Sequence, residues 1–202
     1  MNPRLSTVVA TAKKAGFPKA SIESAIARGQ GRSASGAALE SLVIEAMIPP
    51  SVAAIVDVQT DNKLRTMQKL RLIIKNHNGA VTPTAYMFTK RGRIVLEKDE
   101  RGADDVLDEA VEAGAEDVET DEEGRVVVFT EATKTMAAVG ELEERLQTKI
   151  AEADVVWVAN EDNVVSVDGE AERRTVMDFV EEMEAESEVQ GVYLNVDTNQ
   201  WT

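Results

Sequence analysis

Carboxylates are the side chains of this sequence that could most directly do acid–base chemistry. Paired aspartates or glutamates hydrolyse glycosidic bonds when they flank the bond at a suitable separation. Two runs of five carboxylates each are Asp104, Asp105, Asp108, Glu109 and Glu112, and Glu181, Glu182, Glu184, Glu186 and Glu188. The first run alternates with Val106, Leu107 and Val111, which give a short helix its buried side, so a solvated acidic face explains these carboxylates better than catalysis. Neither run has the spacing of a twelve-residue calcium loop.

Histidine, cysteine and glycine offer little support for a metal site or a covalent mechanism. His77 is the single histidine and the sequence has no cysteine, so zinc would lack the nitrogen and sulfur ligands it prefers. The Gly29-Gln30-Gly31 segment has neither the preceding strand nor the lysine of a phosphate-binding loop, and we interpret it as part of a linker. We therefore predict no catalytic residue, no metal, no cofactor and no enzymatic activity.

Lysine and arginine side chains remain as candidates for ligand binding, and they fit the phosphates of a nucleic acid. No helix-turn-helix, zinc-finger or RNA-recognition signature accompanies them. Aromatic residues make up 4% of the chain, too few for a base-stacking platform, so binding by shape and charge is expected. The predicted nucleic-acid-binding residues are Lys13, Lys14, Lys19, Arg28, Arg32, Lys63, Arg65, Lys69, Arg71, Lys75, Lys90, Arg91 and Arg93.

Charge is divided along the sequence. Residues 1–93 contain 14 lysines and arginines against 5 aspartates and glutamates, whereas residues 94–202 contain 8 against 32. A basic front half and an acidic rear half predict that the front meets a polyanion and that the rear is held clear of it. No apolar run approaches 18 residues, so no membrane span is predicted.

The elements that position the basic residues follow from periodicity and from Pro and Gly signals. Helices are predicted at 3–15, 18–28 and 62–76, strands at 39–48, 52–59 and 84–90, and a linker at 29–38. The helix at 62–76 is expected to bury Leu64, Met67, Leu70 and Ile74. Arg65 and Lys69 lie outside that face, so reversing both charges is predicted to weaken nucleic-acid binding without unfolding the protein.

The second part of the chain has the order of a ferredoxin-like fold. Residues 92–160 predict strand, helix, strand, strand, helix and strand, followed by a helix at 170–187 and a strand at 189–196. The fold class is therefore α+β. We predict a truncated helical N-terminal domain with linker at 1–38, a discontinuous α+β domain at 39–91 plus 161–202, and an inserted ferredoxin-like domain at 92–160.

Four segments in this order resemble the YebC family across essentially the whole chain. NPRLSTVVATAKKAGFPKASIESAIARGQG at 2–31 is similar to a family stretch with "NPRL" and "AI.RG.G", and IEAMIPPSVAAIVDVQTDNKLRT at 44–66 to a stretch with "TDN.NRT". NHNGAVTPTAYMFTKRGRI at 76–94 is similar to "GSVAY.F..KG.I", and EAGAEDVETDEEG at 112–124 to "EAGAEDV…DG". The glycine-rich family turn is replaced by Pro49-Pro50-Ser51, and the second family Asn of the "TDN.NRT" run is Leu64.

The resemblance implies a three-domain α+β architecture and a non-enzymatic role on nucleic acid. The family includes a mitochondrial translational activator and bacterial proteins named as transcriptional regulators. We expect a translational activator that associates with ribosomal RNA or messenger RNA in the mitochondrial matrix. The alternative is a DNA-binding transcriptional regulator in the bacterial cytoplasm. The family's basic N-terminal segment with its "GHSKW" start has no counterpart here, so its nucleic-acid contacts are expected to lie outside these residues. The oligomeric state is left open.

Overall fold

The computed structural model describes residues 3–33 and 36–197, so residues 34 and 35 of the predicted linker lie outside the described residues. The described helices are α1 (Pro3–Lys14), α2 (Lys19–Gly29), α3 (Lys63–Asn76), α4 (Ala103–Glu112), α5 (Thr135–Leu146) and α6 (Glu170–Glu184). The described strands are β1 (Glu40–Ile48), β2 (Val52–Thr60), β3 (Ala80–Val81), β4 (Phe88–Leu96), β5 (Ala115–Thr120), β6 (Val126–Glu131), β7 (Ile150–Ala159) and β8 (Val189–Leu194). None of the helices that the structure describes has the length and apolar character needed to cross a lipid bilayer.

The described residues form two compact units, and the first consists of Met1–Thr82 and Asp168–Val192. Its sheet has the strand order β3-β1-β2-β8. The β1–β2 hairpin pairs Glu40 with Thr60 at one end and Ile48 with Val52 at the other. Strand β2 begins with five consecutive buried residues, as expected for an apolar strand covered on both faces. Helices α3 and α6 pack against each other in this unit.

Helix α3 buries most of the predicted face: Leu70 and Ile74 are buried, and Met67 is half-buried. Its buried residues are Thr66, Leu70, Ile73 and Ile74, whereas Leu64 is 79% exposed. At 100° per residue, Leu64 lies about 160° around the helix from Thr66, so the two cannot both face the core. The predicted burial of Leu64 is therefore wrong, because the buried side chain of the first helical turn is a threonine.

The second unit consists of Pro83–Val167 and Tyr193–Thr202, and it contains the βαββαβ sequence of elements from β4 to β7. Its strand order is β5-β6-β4-β7, with antiparallel pairing of β4 to β6, β4 to β7 and β5 to β6. Both helices contribute to its core, which includes Ile94, Val106, Val128 and Leu142. This arrangement is ferredoxin-like, and it confirms the predicted α+β fold class.

The separate strand predicted at 84–90 is wrong. Residues Ala85–Met87 form a single 3₁₀ turn, and one continuous strand then runs from Phe88 to Leu96. The predicted boundary between residues 91 and 92 consequently falls inside β4. The predicted domain bounds 1–38, 39–91 plus 161–202, and 92–160 stay a prediction.

Candidate nucleic-acid interface

Folding does not keep the charge separation of the sequence. The first unit contains 13 lysines and arginines and 14 aspartates and glutamates, and the second contains 9 and 23. The first unit is nearly neutral because Asp168–Val192 brings nine carboxylates onto the same unit as the basic front of the chain. Part of the acidic rear therefore shares a unit with the basic front, and the prediction that the rear is held clear of a polyanion stays a prediction. The candidate interface must be sought among individual cations.

The segment Thr60-Asp61-Asn62, which we call the TDN segment, stabilises the start of α3 through hydrogen bonds. The hydroxyl oxygens of Thr60 and Thr66 are 2.7 Å apart and buried, and the backbone N–H of Asn62 donates to Thr60 Oγ1 at 2.9 Å. The Arg65 backbone N–H donates to Asn62 Oδ1 at 3.0 Å, which makes Asn62 the N-cap. A side-chain oxygen at this position satisfies a helix N–H that has no partner within the helix. The TDN segment therefore caps the N-terminus of α3.

Replacing Asn62 with alanine is expected to lower the free energy of unfolding by about 1 kcal/mol, because the Arg65 N–H loses its acceptor. Urea denaturation of the two proteins measures the difference. Asn62→Asp is the matched control, since aspartate caps helices about as well as asparagine. Equal stability of the alanine variant and wild type would show that the cap does not contribute.

Three of the predicted cations on α3 are engaged by carboxylates. Lys63 Nζ lies 2.7 Å from Glu40 Oε2. Arg65 Nη2 donates to both Glu188 Oε1 at 2.7 Å and Asp61 Oδ1 at 2.8 Å, and Lys69 forms an ion pair with Glu186. The hydrogen bonds to Glu188 and then Asp61 raise the pKa of the Arg65 guanidinium, so it is charged at every physiological pH.

These pairs change how the interface can be tested. Reversing the charges of Arg65 and Lys69 would place new carboxylates beside Glu188 and Glu186, whose side chains are 14% and 18% exposed. Like charges at such short range repel, so the variant would perturb the fold as well as binding. Contrary to the expectation from the sequence, the double reversal does not separate an effect on binding from an effect on folding.

His77, at the end of α3, contacts two residues of α6. Its Nε2 lies 2.7 Å from Glu182 Oε2, and its ring meets that of Phe179 edge-on with centroids 5.6 Å apart. Both partners belong to α6. The imidazole therefore joins the end of α3 to α6, and an aromatic edge contact of this kind adds to the packing of the buried Phe179.

The three predicted cations of β4 do not form one cluster. Successive side chains of a strand point to opposite faces, so Lys90 lies on one face and Arg91 and Arg93 on the other. Lys90 Nζ sits 4.6 Å from the centre of the Trp157 ring, a cation–π contact. Arg91 lies 3.8 Å from a Glu116 carboxylate and Arg93 is 3.2 Å from Glu152.

Besides Lys90, six of the predicted cations form no ion pair with any carboxylate that the structure describes. Lys19 does pair with Glu23, at 3.5 Å, but its side chain is 84% exposed, and so exposed a pair is weak. The six unpaired cations are Lys13, Lys14, Arg28, Arg32, Arg71 and Lys75.

Arg71 and Lys75 belong to a continuous exposed stripe on α3. Spacings of four, three and four residues place Leu64, Gln68, Arg71 and Lys75 on one side of the helix, and all four are exposed. We call this stripe the α3 ridge. Sequence periodicity could have identified Arg71 and Lys75 as its cations. The i,i+4 pair of Asp61 with Arg65 is visible in the sequence, but the pairs of Arg65 with Glu188 and of Lys69 with Glu186 join residues more than 100 positions apart.

A cleft of about 720 Å³ lies beside the start of α3. Its lining includes Arg28 of α2, Arg65 of α3 and the hydroxyl side chains Ser21, Ser24 and Ser187. Sequence reasoning did not select these serines, since isolated serines carry no pattern that would identify them. The carboxylates of Asp61 and Glu188 also line the cleft, so its two guanidinium groups face two opposite charges.

Three carboxylates of the second unit have lowered pKa values. A side-chain hydrogen bond from Arg101 lowers the pKa of Asp99, and a backbone hydrogen bond from Arg125 lowers that of Asp121. The pKa of Glu131 is also lowered, first by a hydrogen bond from the Lys134 side chain. A general acid needs a raised pKa, so these groups fit a solvated acidic surface. Over the ranges 3–33 and 36–197, no three potential metal ligands are grouped to hold an ion.

The chain is similar to known proteins over nearly its whole length. Residues 39–196 match the family model described as TACO1/YebC second and third domain. A protein named "Probable transcriptional regulatory protein" from Dictyoglomus turgidum is 37% identical over 97% of this chain and 78% of its own length. A protein of the same name from Persephonella marina is 34% identical over 98% and 79%.

A solved structure has the same fold. The crystal structure of a conserved hypothetical protein from Aquifex aeolicus superimposes with a TM-score of 0.74 at 30% sequence identity, covering 97% of this chain and 80% of that one. Its likeness extends over both units of the present chain.

Proposed function

The chain belongs to the TACO1/YebC family, and from this membership we propose that it is a DNA-binding transcriptional regulator. The bacterial relatives carry the name of probable transcriptional regulatory proteins, which supports this alternative better than the translational activator that the sequence analysis placed first. The relatives likewise give no support to a ribosomal partner or a mitochondrial location. We place the protein in the bacterial cytoplasm, where DNA is directly accessible. The role is regulatory and not enzymatic.

The single observation that carries the proposal is the set of unpaired cations on the first unit. Arg71 and Lys75 on the α3 ridge have no competing carboxylate among the described residues, and both are exposed. Cations in this state can displace the counterions condensed on a phosphate backbone, and this release drives binding. Contacts of this kind position a protein on nucleic acid and carry little sequence information.

We expect the variant Arg71→Gln with Lys75→Gln to bind a 20-base-pair DNA duplex more weakly than wild type. The slope of log affinity against log salt should become shallower by about 2, since each phosphate contact contributes about 0.9. Fluorescence anisotropy with labelled duplex between 50 and 300 mM salt, concentrations chosen for the roughly log-linear regime, measures the slope.

The control variant is Lys134→Gln with Arg145→Gln, which removes the same charge from the second unit. Both residues are already paired, Lys134 with Glu131 and Arg145 with Glu141 and Glu112. We expect this control to leave the slope unchanged. A control that flattens the slope equally would assign the effect to net charge and would remove the α3 ridge from the interface.

The choice between DNA and RNA is tested with the wild-type protein. A DNA duplex, an RNA duplex of matching sequence and purified bacterial ribosomes are compared at one salt concentration, by anisotropy for the duplexes and by co-sedimentation for the ribosomes. The proposal expects the DNA duplex to bind more tightly than the RNA duplex. Tighter binding to RNA or ribosomes would favour translation, and no salt-dependent binding to any of the three would refute a nucleic-acid function.

A further inference from the structure

We propose that Glu186 and Glu188 act as an internal mask that competes with nucleic-acid phosphates for Lys69 and Arg65. The inference rests on the proposed function, because it names a second group of phosphate-binding cations beside the α3 ridge. Masking these cations lowers the affinity for nucleic acid, whatever the base sequence. Until the mask is displaced, the protein binds DNA through the few cations that remain unpaired.

The contacts of the mask are direct. Glu188 Oε1 accepts a hydrogen bond from Arg65 Nη2 at 2.7 Å, and Glu186 pairs with Lys69 Nζ. Arg65 is 57% exposed and Lys69 is 51% exposed, whereas Glu188 and Glu186 are 14% and 18% exposed. The cations therefore lie on the outer side of each pair, where an approaching phosphate can reach them.

Carboxylates suit this role because they accept the same charge-assisted hydrogen bonds as phosphate oxygens. A guanidinium can hold either group with parallel N–H donors, and an ammonium binds either as a point charge. Arg65 Nη2 is shared by Asp61 and Glu188, so its strongest acceptors are both internal. A phosphate arriving at Arg65 must compete with them.

The mask is held in place by the backbone around it. The Glu186 N–H donates to the Met183 carbonyl at 3.1 Å, and the Gln59 N–H of β2 donates to the Glu188 carbonyl at 2.8 Å. Met183 is fully buried, so the position of the chain that leads from it to Glu186 and Glu188 is fixed by the core. The carboxylates consequently remain beside α3 at a high effective concentration.

The test compares two double variants with the same charge change. Glu186→Gln with Glu188→Gln removes the mask, and Glu181→Gln with Glu184→Gln is the matched control. Glu181 and Glu184 are exposed and form no ion pair with a residue in the described ranges. Glu181 follows the buried Phe179 and precedes the buried Met183 by two residues each, which places it on the opposite side of α6 from both.

The measurement is anisotropy with the same labelled 20-base-pair DNA duplex over the same salt series. Removal of the mask is expected to tighten binding roughly tenfold at 100 mM salt and to steepen the salt slope by about 1 to 2, because Lys69 loses its carboxylate and Arg65 keeps only Asp61. The control should change affinity less than threefold and leave the slope in place, since it alters long-range charge alone. The single variant Glu186→Gln, which leaves the Arg65 contacts intact, should give about half of the slope change.

The outcomes separate the mask from the proposed function. If wild type binds DNA and the two double variants tighten binding equally, with no difference in slope, the mask is refuted while DNA binding stands. If binding weakens in Glu186→Gln, the carboxylates orient the cations instead of masking them, which also overturns the mask. If neither wild type nor any variant binds DNA at 50 mM salt, where electrostatic binding is strong, the proposed function fails together with the mask. Circular dichroism of each variant confirms that it is folded.

Discussion

Gly92→Ala is expected to destabilise the second unit by about 3 kcal/mol, at the upper end of the usual range for overpacking a core. A Cβ at position 92 would lie 2.0 Å from Thr135 Oγ1 and 2.4 Å from Thr130 Oγ1. Thr130 and Thr135 are both buried, and a β-branched side chain has few rotamers with which to yield. Strand β4 or helix α5 must therefore shift. Urea denaturation measures the loss, and hydrogen exchange of peptides from β4 and α5 assigns it to this unit.

Gly140→Ala is the matched control because it makes the same chemical change in the same unit. Gly140 lies in the interior of α5, and a Cβ there meets nothing within 4 Å. Alanine in a helix interior is favoured over glycine by roughly 0.5 to 1 kcal/mol, so this variant should be more stable than wild type. Two variants with similar stabilities would contradict the packing assigned to Gly92.

Several residues of the segments that carry the family resemblance have a structural role. In the TDN segment, Thr60 and Asn62 start α3 through hydrogen bonds. The glycine of the "KG.I" match is Gly92, where α5 leaves no space for a side chain. Gly114 of the EAGAEDV match has a φ of +92°, a conformation that favours glycine. The resemblance therefore predicted the α+β fold reliably, and these positions do not mark a binding surface.

The candidate interface was less predictable because charge pairing is set by tertiary structure. Periodicity places Arg65, Lys69, Arg71 and Lys75 on the exposed part of α3 with equal ease. Asp61, four residues before Arg65, is a local sign of pairing, but the second partner of Arg65 is Glu188, which lies 123 residues further along the chain. Such a distance leaves no local signal in a single sequence. The same limit explains why the charge difference between the two halves did not persist in the first unit.

Leu64 shows a different limit of periodicity. A leucine three residues before Met67 and six before Leu70 has the spacing of an apolar helix face. Leu64 is nevertheless exposed, because the N-cap at Asn62 and the buried Thr66 fix the rotation of the first turn of α3. The position where the family has a second Asn is consequently on the α3 ridge.

Phe179→Ala is expected to lower the stability of the first unit by about 3 to 5 kcal/mol, the usual cost of truncating a fully buried phenylalanine. Phe179 has no exposed surface and meets His77 of the α3 end edge-on. Its removal leaves a cavity where α6 packs and loosens the helix that leads to Glu186 and Glu188. Urea denaturation measures the loss, and faster hydrogen exchange in α3 and α6 than in α5 would place it in the first unit.

Met177→Ala, on the same helix, separates packing from helix propensity. Met177 is 58% exposed, and substitutions at such surface positions usually change stability by less than about 0.5 kcal/mol. Phe179→Leu should fall between the two, because leucine fills part of the cavity. If Phe179→Ala were as stable as Met177→Ala, α6 could not be a packed element of the first unit. The carboxylates that follow α6 would then have no fixed position from which to hold Arg65 and Lys69.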